Sequence, residues 1–162
     1  MGDQGRAPKV LAVSSGGGHW SELRRLRPAW ADARVDYVVT DKGYREEVAR
    51  DANSGGHKPR AFRVMDANAT QKLRLLGLAV MTAWVVLRVR PDVVISTGAA
   101  PGYFAVRFGK MMGARTVWID SIANVEELSI SAHLARRHCT LWLTQWPHLQ
   151  DETGAYYAGA VL

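Results

Sequence analysis

Residues 9–19 read KVLAVSSGGGH: an apolar run, a glycine turn and the approach to a helix. Lys9 to Ser14 is a continuous apolar, β-rich run. A strand of that kind is covered on both faces, which is the signature of a parallel sheet. Glycines 16 to 18 then break the strand. From Trp20 the period changes: Trp20, Leu23 and Leu26 share one helical face, and Arg24, Arg25 and Arg27 fall largely elsewhere. Strand, glycine turn and helix together open a βαβ unit.

The same alternation runs through the chain. Val35–Thr40, Ala61–Met65, Asp92–Thr97, Arg115–Ile119 and Cys139–Thr144 read as further strands. Tyr44–Ala52, Gln71–Arg90, Pro101–Met112 and Leu128–Arg137 read as helices, and His148–Thr153 as a turn of helix. Pro28 ends or bends the first helix and Pro91 stops the long one. The order predicts one α/β domain over residues 1–162, a Rossmann-like open parallel sheet with helices on both faces. A 162-residue chain that is 48% hydrophobic can build one ordinary core, which excludes a disordered chain. Residues 1–8 read as a polar, flexible lead-in, Asn53–Arg60 as a basic, mobile loop, and 156–162 as an apolar tail available to a partner.

A net charge of +6 suits nucleic acid, an anionic membrane or a phosphorylated ligand. No basic-aromatic stripe or recognition helix accompanies it, so nucleic acid is the weakest of the three. The single cysteine, Cys139, permits no internal disulfide and reads as a small buried hydrophobe. The most apolar segment, Leu75–Leu87, is shorter than the roughly 20 residues a spanning helix needs. Its middle is expected to pack on the sheet, with an apolar helical face dipping into the membrane interface as the alternative.

Two loops carry the candidate chemistry. Ser15, Gly16, Gly17 and Gly18 lead from the first strand into a helix. Glycines there let the backbone approach a phosphate, and the helix start offers unpaired N–H groups and a positive dipole end. Thr97, Gly98, Ala99 and Ala100 repeat this arrangement after the fourth strand. Both loops belong at strand carboxyl ends, where open α/β sheets bind ligands. The match to G-x-G-x-x-G is partial, because Ser21 stands at the third glycine position. With Asp41 as a possible ribose contact, a non-catalytic nucleotide-binding module, taking NAD or a UDP-sugar, stays open as a second reading.

His19 is the leading candidate for catalysis. It follows the glycines, and its ordinary pKa suits general-base work at neutral pH. Asp120 ends the fifth strand on the same rim and would orient a base, bind a hydroxyl or cap a helix. Ser121, Asn124 and Gln145 fall near it as further cleft residues. There is no Cys/His ligand spacing and no D-x-D pair, so no metal and no cofactor are expected.

In order along the chain, Ser15-Gly16-Gly17-Gly18-His19, Thr97-Gly98-Ala99-Ala100-Pro101, Trp118-Ile119-Asp120-Ser121 and Leu143-Thr144-Gln145-Trp146 form a set. That set resembles the PssD-like exopolysaccharide glycosyltransferase subunits. It is similar also to the membrane-anchoring subunit of the dolichol-linked N-acetylglucosaminyltransferase and, more distantly, to the N-terminal half of MurG. The likeness covers about residues 9–161. It implies the N-terminal, acceptor-binding half of a GT-B glycosyltransferase split into two chains. A PssE-like partner would bind the UDP-sugar donor. The glycine loops would hold the diphosphate of a polyprenyl-linked glycan acceptor, and His19 would be the base of an inverting, metal-free transfer. The eukaryotic subunit carries an N-terminal membrane helix that this sequence lacks, and Asp120 stands where related sequences often have glutamate. The chain also stops where a full GT-B enzyme would enter its second half.

A polyprenyl acceptor stays in the bilayer, so the protein is expected at the cytoplasmic face as a peripheral protein. Arg24, Arg25 and Arg27, with Lys72 and Arg74 at the start of the long helix, are the expected contacts with anionic lipid.

Overall fold

The computed structural model describes residues 6–51, 56–68 and 70–161. The start of the lead-in, residues 1–5, and part of the basic loop, residues 52–55, lie outside them. Among the described residues seven strands form one sheet: β1 Lys9–Val13, β2 Arg34–Val39, β3 Ala61–Arg63, β4 Val93–Ser96, β5 Arg115–Ile119, β6 Leu141–Thr144 and β7 Tyr156–Tyr157. Every pairing is parallel, and the order is β3-β2-β1-β4-β5-β6-β7. The α-helices among the described residues are α1 Gly18–Arg25, α2 Lys42–Ala49, α3 Lys72–Val89, α4 Ala99–Met111, α5 Ile130–Ala135 and α6 Pro147–Thr153. All six expected strands are present. β7 is an addition, so residues 156 and 157 are an edge strand rather than free tail.

The continuous apolar runs explain the two-sided packing. Along β1, Val10 and Ala12 pack with Trp20, Leu23 and Val48 of α1 and α2. Leu11 and Val13 pack with Leu78, Val86 and Ala105 of α3 and α4. Burying each such side chain contributes on the order of 2 kcal/mol. Coverage is uneven. On the α1 side the cross-strand row Ile95, Val117 and Leu141 is partly exposed, although all three are apolar.

The chain reverses direction across the sheet between β1 and β4, which pair as neighbours with Val13 opposite Ser96. This is the switch point of a doubly wound sheet, and the loops after β1 and β4 diverge there.

An ion cluster pins the far edge. Asp36 of β2 accepts hydrogen bonds from His57 Nε2 at 2.9 Å and Arg60 Nη2 at 2.6 Å. Burial alone would raise this carboxyl. The Arg60 and His57 hydrogen bonds outweigh burial and hold it below the ordinary carboxylate range. The depressed pKa gives stability that is present above the unfolded carboxylate pKa and is lost as pH falls through the folded value. Arg60 is half exposed, so Asp36→Asn is expected to cost about 1–2 kcal/mol at neutral pH. Urea melts at pH 7 and pH 3 should show the gap closing in acid.

Candidate functional site

The two glycine loops stand side by side at the switch point. α1 has Gly17 as its N-cap and α4 has Gly98, and neither helix is capped by a side chain. First-turn N–H groups at such ends have no partner within the helix. Both helices therefore direct donors and positive dipole ends to one rim. Glycine is required in both places. Gly17 has φ +67° with ψ −133°, and Gly98 has φ +134°. A Cβ on Gly98 would lie 2.7 Å from His19 Cε1. Ala99 follows at φ +63°, an uncommon conformation for alanine.

His19 joins the loops. Its imidazole is 2.9 Å from the Thr97 carbonyl through Nδ1, and Thr97 Oγ1 donates back to the His19 carbonyl at 2.7 Å. A carbonyl only accepts, so Nδ1 carries the proton and Nε2 of the neutral ring keeps a lone pair. The ring is half-buried and rests over Gly98. Ser15, Gly16, Ala99 and Ala100 also border an apolar groove of about 620 Å³, continued by Leu75, Tyr103 and Phe104.

Other sequence-expected residues behave differently. The Asp120 side chain is buried at 1% exposure. One oxygen accepts from Asn124 Nδ2 at 3.0 Å and the Ser129 backbone N–H at 2.9 Å. The other accepts from Ser129 Oγ at 2.7 Å and Trp118 Nε1 at 3.4 Å. Both oxygens thus hold the segment after β5 in place, and the orienting contact on His19 comes from Thr97 instead. Of the roles expected for Asp120, the geometry carries the structural one, a hold on Ser129, the N-cap residue of α5. Asn124 belongs to the same clamp. Ser121 and Gln145 are buried in hydrogen bonds and do not face an open cleft. Asp41 caps α2 by accepting from the Gly43 N–H at 2.7 Å, which accounts for it without a ribose.

Glu22 escaped the sequence reading. It is 6% exposed, and it accepts from Ser121 Oγ at 2.7 Å and Gln145 Nε2 at 2.8 Å. Its one sequence signal was a carboxylate adjoining the buried Leu23 in a short amphipathic helix.

The basic residues divide. Arg24 is held by both oxygens of Asp51 and lies over the Trp20 and Tyr37 rings. Arg27 reaches the same carboxylate at 3.4 Å. Arg24 and Arg25 end α1 about 10 Å from its glycine start, at 1.5 Å per residue. Their sequence proximity to the loop is therefore not spatial proximity, and Arg24 is already paired. Lys72 and Arg74 are exposed at the start of α3, on the same carboxyl rim as the glycine loops.

α3 itself corrects the expectation of a packed middle. Leu78, Thr82, Val85, Val86 and Val89 face the protein. Leu73, Leu76, Val80, Trp84 and Leu87, spaced three or four residues apart, are 56–86% exposed. Among the described residues no helix is long and apolar enough to cross a membrane. The Cys139 thiol is pushed up to about 12 by burial, in keeping with a packing role.

Solved structures with this architecture include Acinetobacter baumannii MurG, with TM-score 0.68 and 11% identity over 94% of this chain. Methanocaldococcus jannaschii UDP-GlcNAc 2-epimerase gives 0.66 and 12% over 94%. The chain spans 44% and 45% of those two chains, and at such identity the likeness establishes the fold alone. Two curated relatives are UDP-N-acetylglucosamine transferase subunits ALG14. The Eremothecium gossypii protein is 25% identical over 99% of this chain and 83% of its own length. The Mus musculus protein is 24% identical over 89% and 78%. The family described as "Oligosaccharide biosynthesis protein Alg14 like" matches residues 10–161. With nearly the whole chain matched, the protein belongs to the Alg14-like family of oligosaccharide biosynthesis proteins.

Proposed function

We propose that this chain is the acceptor-binding, membrane-associated subunit of a two-chain inverting glycosyltransferase. The observation that carries the reading is the convergence of two uncapped helix starts on one rim with the His19 imidazole bridging them. An anionic diphosphate fits that field, with the amides of Gly16, Gly18, Ala99 and Ala100 as donors, while the Gly17 N–H is held by the Tyr44 hydroxyl at 2.9 Å. The acceptor is a polyprenyl-diphosphate-linked glycan, its apolar end leaving along the groove of Leu75, Tyr103 and Phe104. The process is exopolysaccharide or lipid-linked oligosaccharide synthesis, as the motif set and the family support.

In the proposed step the acceptor hydroxyl oxygen attacks the anomeric carbon of the UDP-sugar. Its proton passes to His19 Nε2, and UDP leaves with the electrons of the broken bond. The Thr97 carbonyl holds Nδ1–H throughout and supports the imidazolium that forms. No metal takes part in the proposed step.

The UDP-sugar site belongs to a second, PssE-like chain. The partly open apolar row Ile95, Val117 and Leu141 supports a protein contact on the α1 side of the sheet. Membrane contact is assigned to the outer stripe of α3, with Lys72 and Arg74 at its rim end. Cations there suit the anionic cytoplasmic leaflet. Reconstitution tests the reading. Co-expression with the donor-binding chain should give transfer to a polyprenyl-diphosphate glycan, and neither chain alone should. Full turnover by this chain alone would refute the split enzyme.

A further inference from the structure

Glu22 is a carboxylate inside the protein, and neither of its hydrogen-bond partners is basic. One oxygen accepts from Ser121 after β5, the other from Gln145 after β6. Gln145 is itself saturated: its Nε2 donates also to the Asp120 carbonyl at 3.0 Å, and its Oε1 accepts from the Val161 N–H at 2.7 Å. A charge-assisted hydrogen bond is stronger than a neutral one, and a buried carboxylate without its donors is costly. The network therefore fixes the rotation of α1 against the carboxyl rim and ties it to the final segment of the chain. His19 stands three residues earlier on the same helix, within one turn.

We infer that Glu22 is a positioning residue for His19. Its carboxylate, suspended between Ser121 and Gln145, locks the start of α1 so that the imidazole stays over Gly98 with Nδ1–H on the Thr97 carbonyl and Nε2 unprotonated. The inference rests on the proposed role of His19 as base. The neighbouring Asp120 clamp shapes the segment that presents Ser121, so the two buried carboxylates act in series: one builds the rim and the other holds the helix to it.

The test uses the full chain carrying 15N-labelled histidine, alone for spectroscopy and with its donor-binding partner for turnover. In the native chain the His19 ring should give the Nδ1–H tautomer. Glu22→Gln should mix the tautomers and lower kcat by roughly a hundredfold with KM little changed, the scale of an ångström-level misplacement. Asp36→Asn, which breaks a buried carboxylate cluster away from the site, should lower the melting temperature without altering tautomer or kcat. Ser121→Ala removes one donor and gives a milder shift of the same sign should Glu22→Gln fold poorly. An unchanged His19 tautomer in Glu22→Gln, or in Ser121→Ala if that variant alone folds, overturns the inference. An equal kcat loss in Asp36→Asn does so as well. Retained transfer by His19→Ala would instead sink the reading of the base, and the tautomer measurement would still decide the role of Glu22.

Discussion

Replacing His19 with alanine is expected to lower transfer by the reconstituted enzyme roughly a thousandfold, within the range a positioned general base supplies. The geometry sets the expectation. Nδ1 is committed to the Thr97 carbonyl at 2.9 Å, so the ring reaches the acceptor hydroxyl through Nε2. Alanine removes that lone pair and leaves both helix starts in place. Acceptor affinity should change only a few-fold, and the loss should appear in kcat. Steady-state kinetics with varied acceptor separate the two. A kcat within tenfold of the native value would remove His19 from the chemistry.

Placing charges on the outer stripe of α3 should have the second large effect. Leu76 and Trp84 are 64% and 56% exposed and belong to a stripe that runs the length of the helix. Each apolar side chain that enters the interface contributes at least about 1.5 kcal/mol. Leu76→Glu with Trp84→Glu should therefore weaken binding to anionic vesicles by roughly a hundredfold or more. Arg25→Glu, at the opposite end of α1 from the glycine rim, should leave vesicle binding nearly unchanged. A vesicle co-sedimentation series decides between the faces: release by the Arg25 change and retention by the α3 pair would return the contact to the end of α1.

The contrast between those two surfaces shows what the sequence could carry. KVLAVSSGGGH was legible because an apolar strand and a glycine turn are local signals, and each strand after it repeated the signal. The neighbourhood of the two loops followed from topology, since β1 and β4 flank the reversal of a doubly wound sheet. Pairings across long separations were not legible. Arg24 looked like a free cation until Asp51, 27 residues on, took its guanidinium. Asp120 looked available until Ser129 and Asn124 closed around it. From Leu75 to Leu87 α3 carries no charge on any side, so its period did not reveal which stripe the sheet would take. Tyr156 and Tyr157 form too short a strand to show a period at all.

The proposed function requires the turns at residues 16–18 and 99–100 to bind one lipid-linked diphosphate between them. A titration of the 15N-labelled chain with a short-chain prenyl-diphosphate sugar, followed by amide chemical shifts, is the decisive measurement. Amides of both turns should move together and saturate at one concentration, and UDP should leave them largely unmoved. Shifts confined to one turn, or stronger shifts with UDP or NAD than with the prenyl diphosphate, would contradict it.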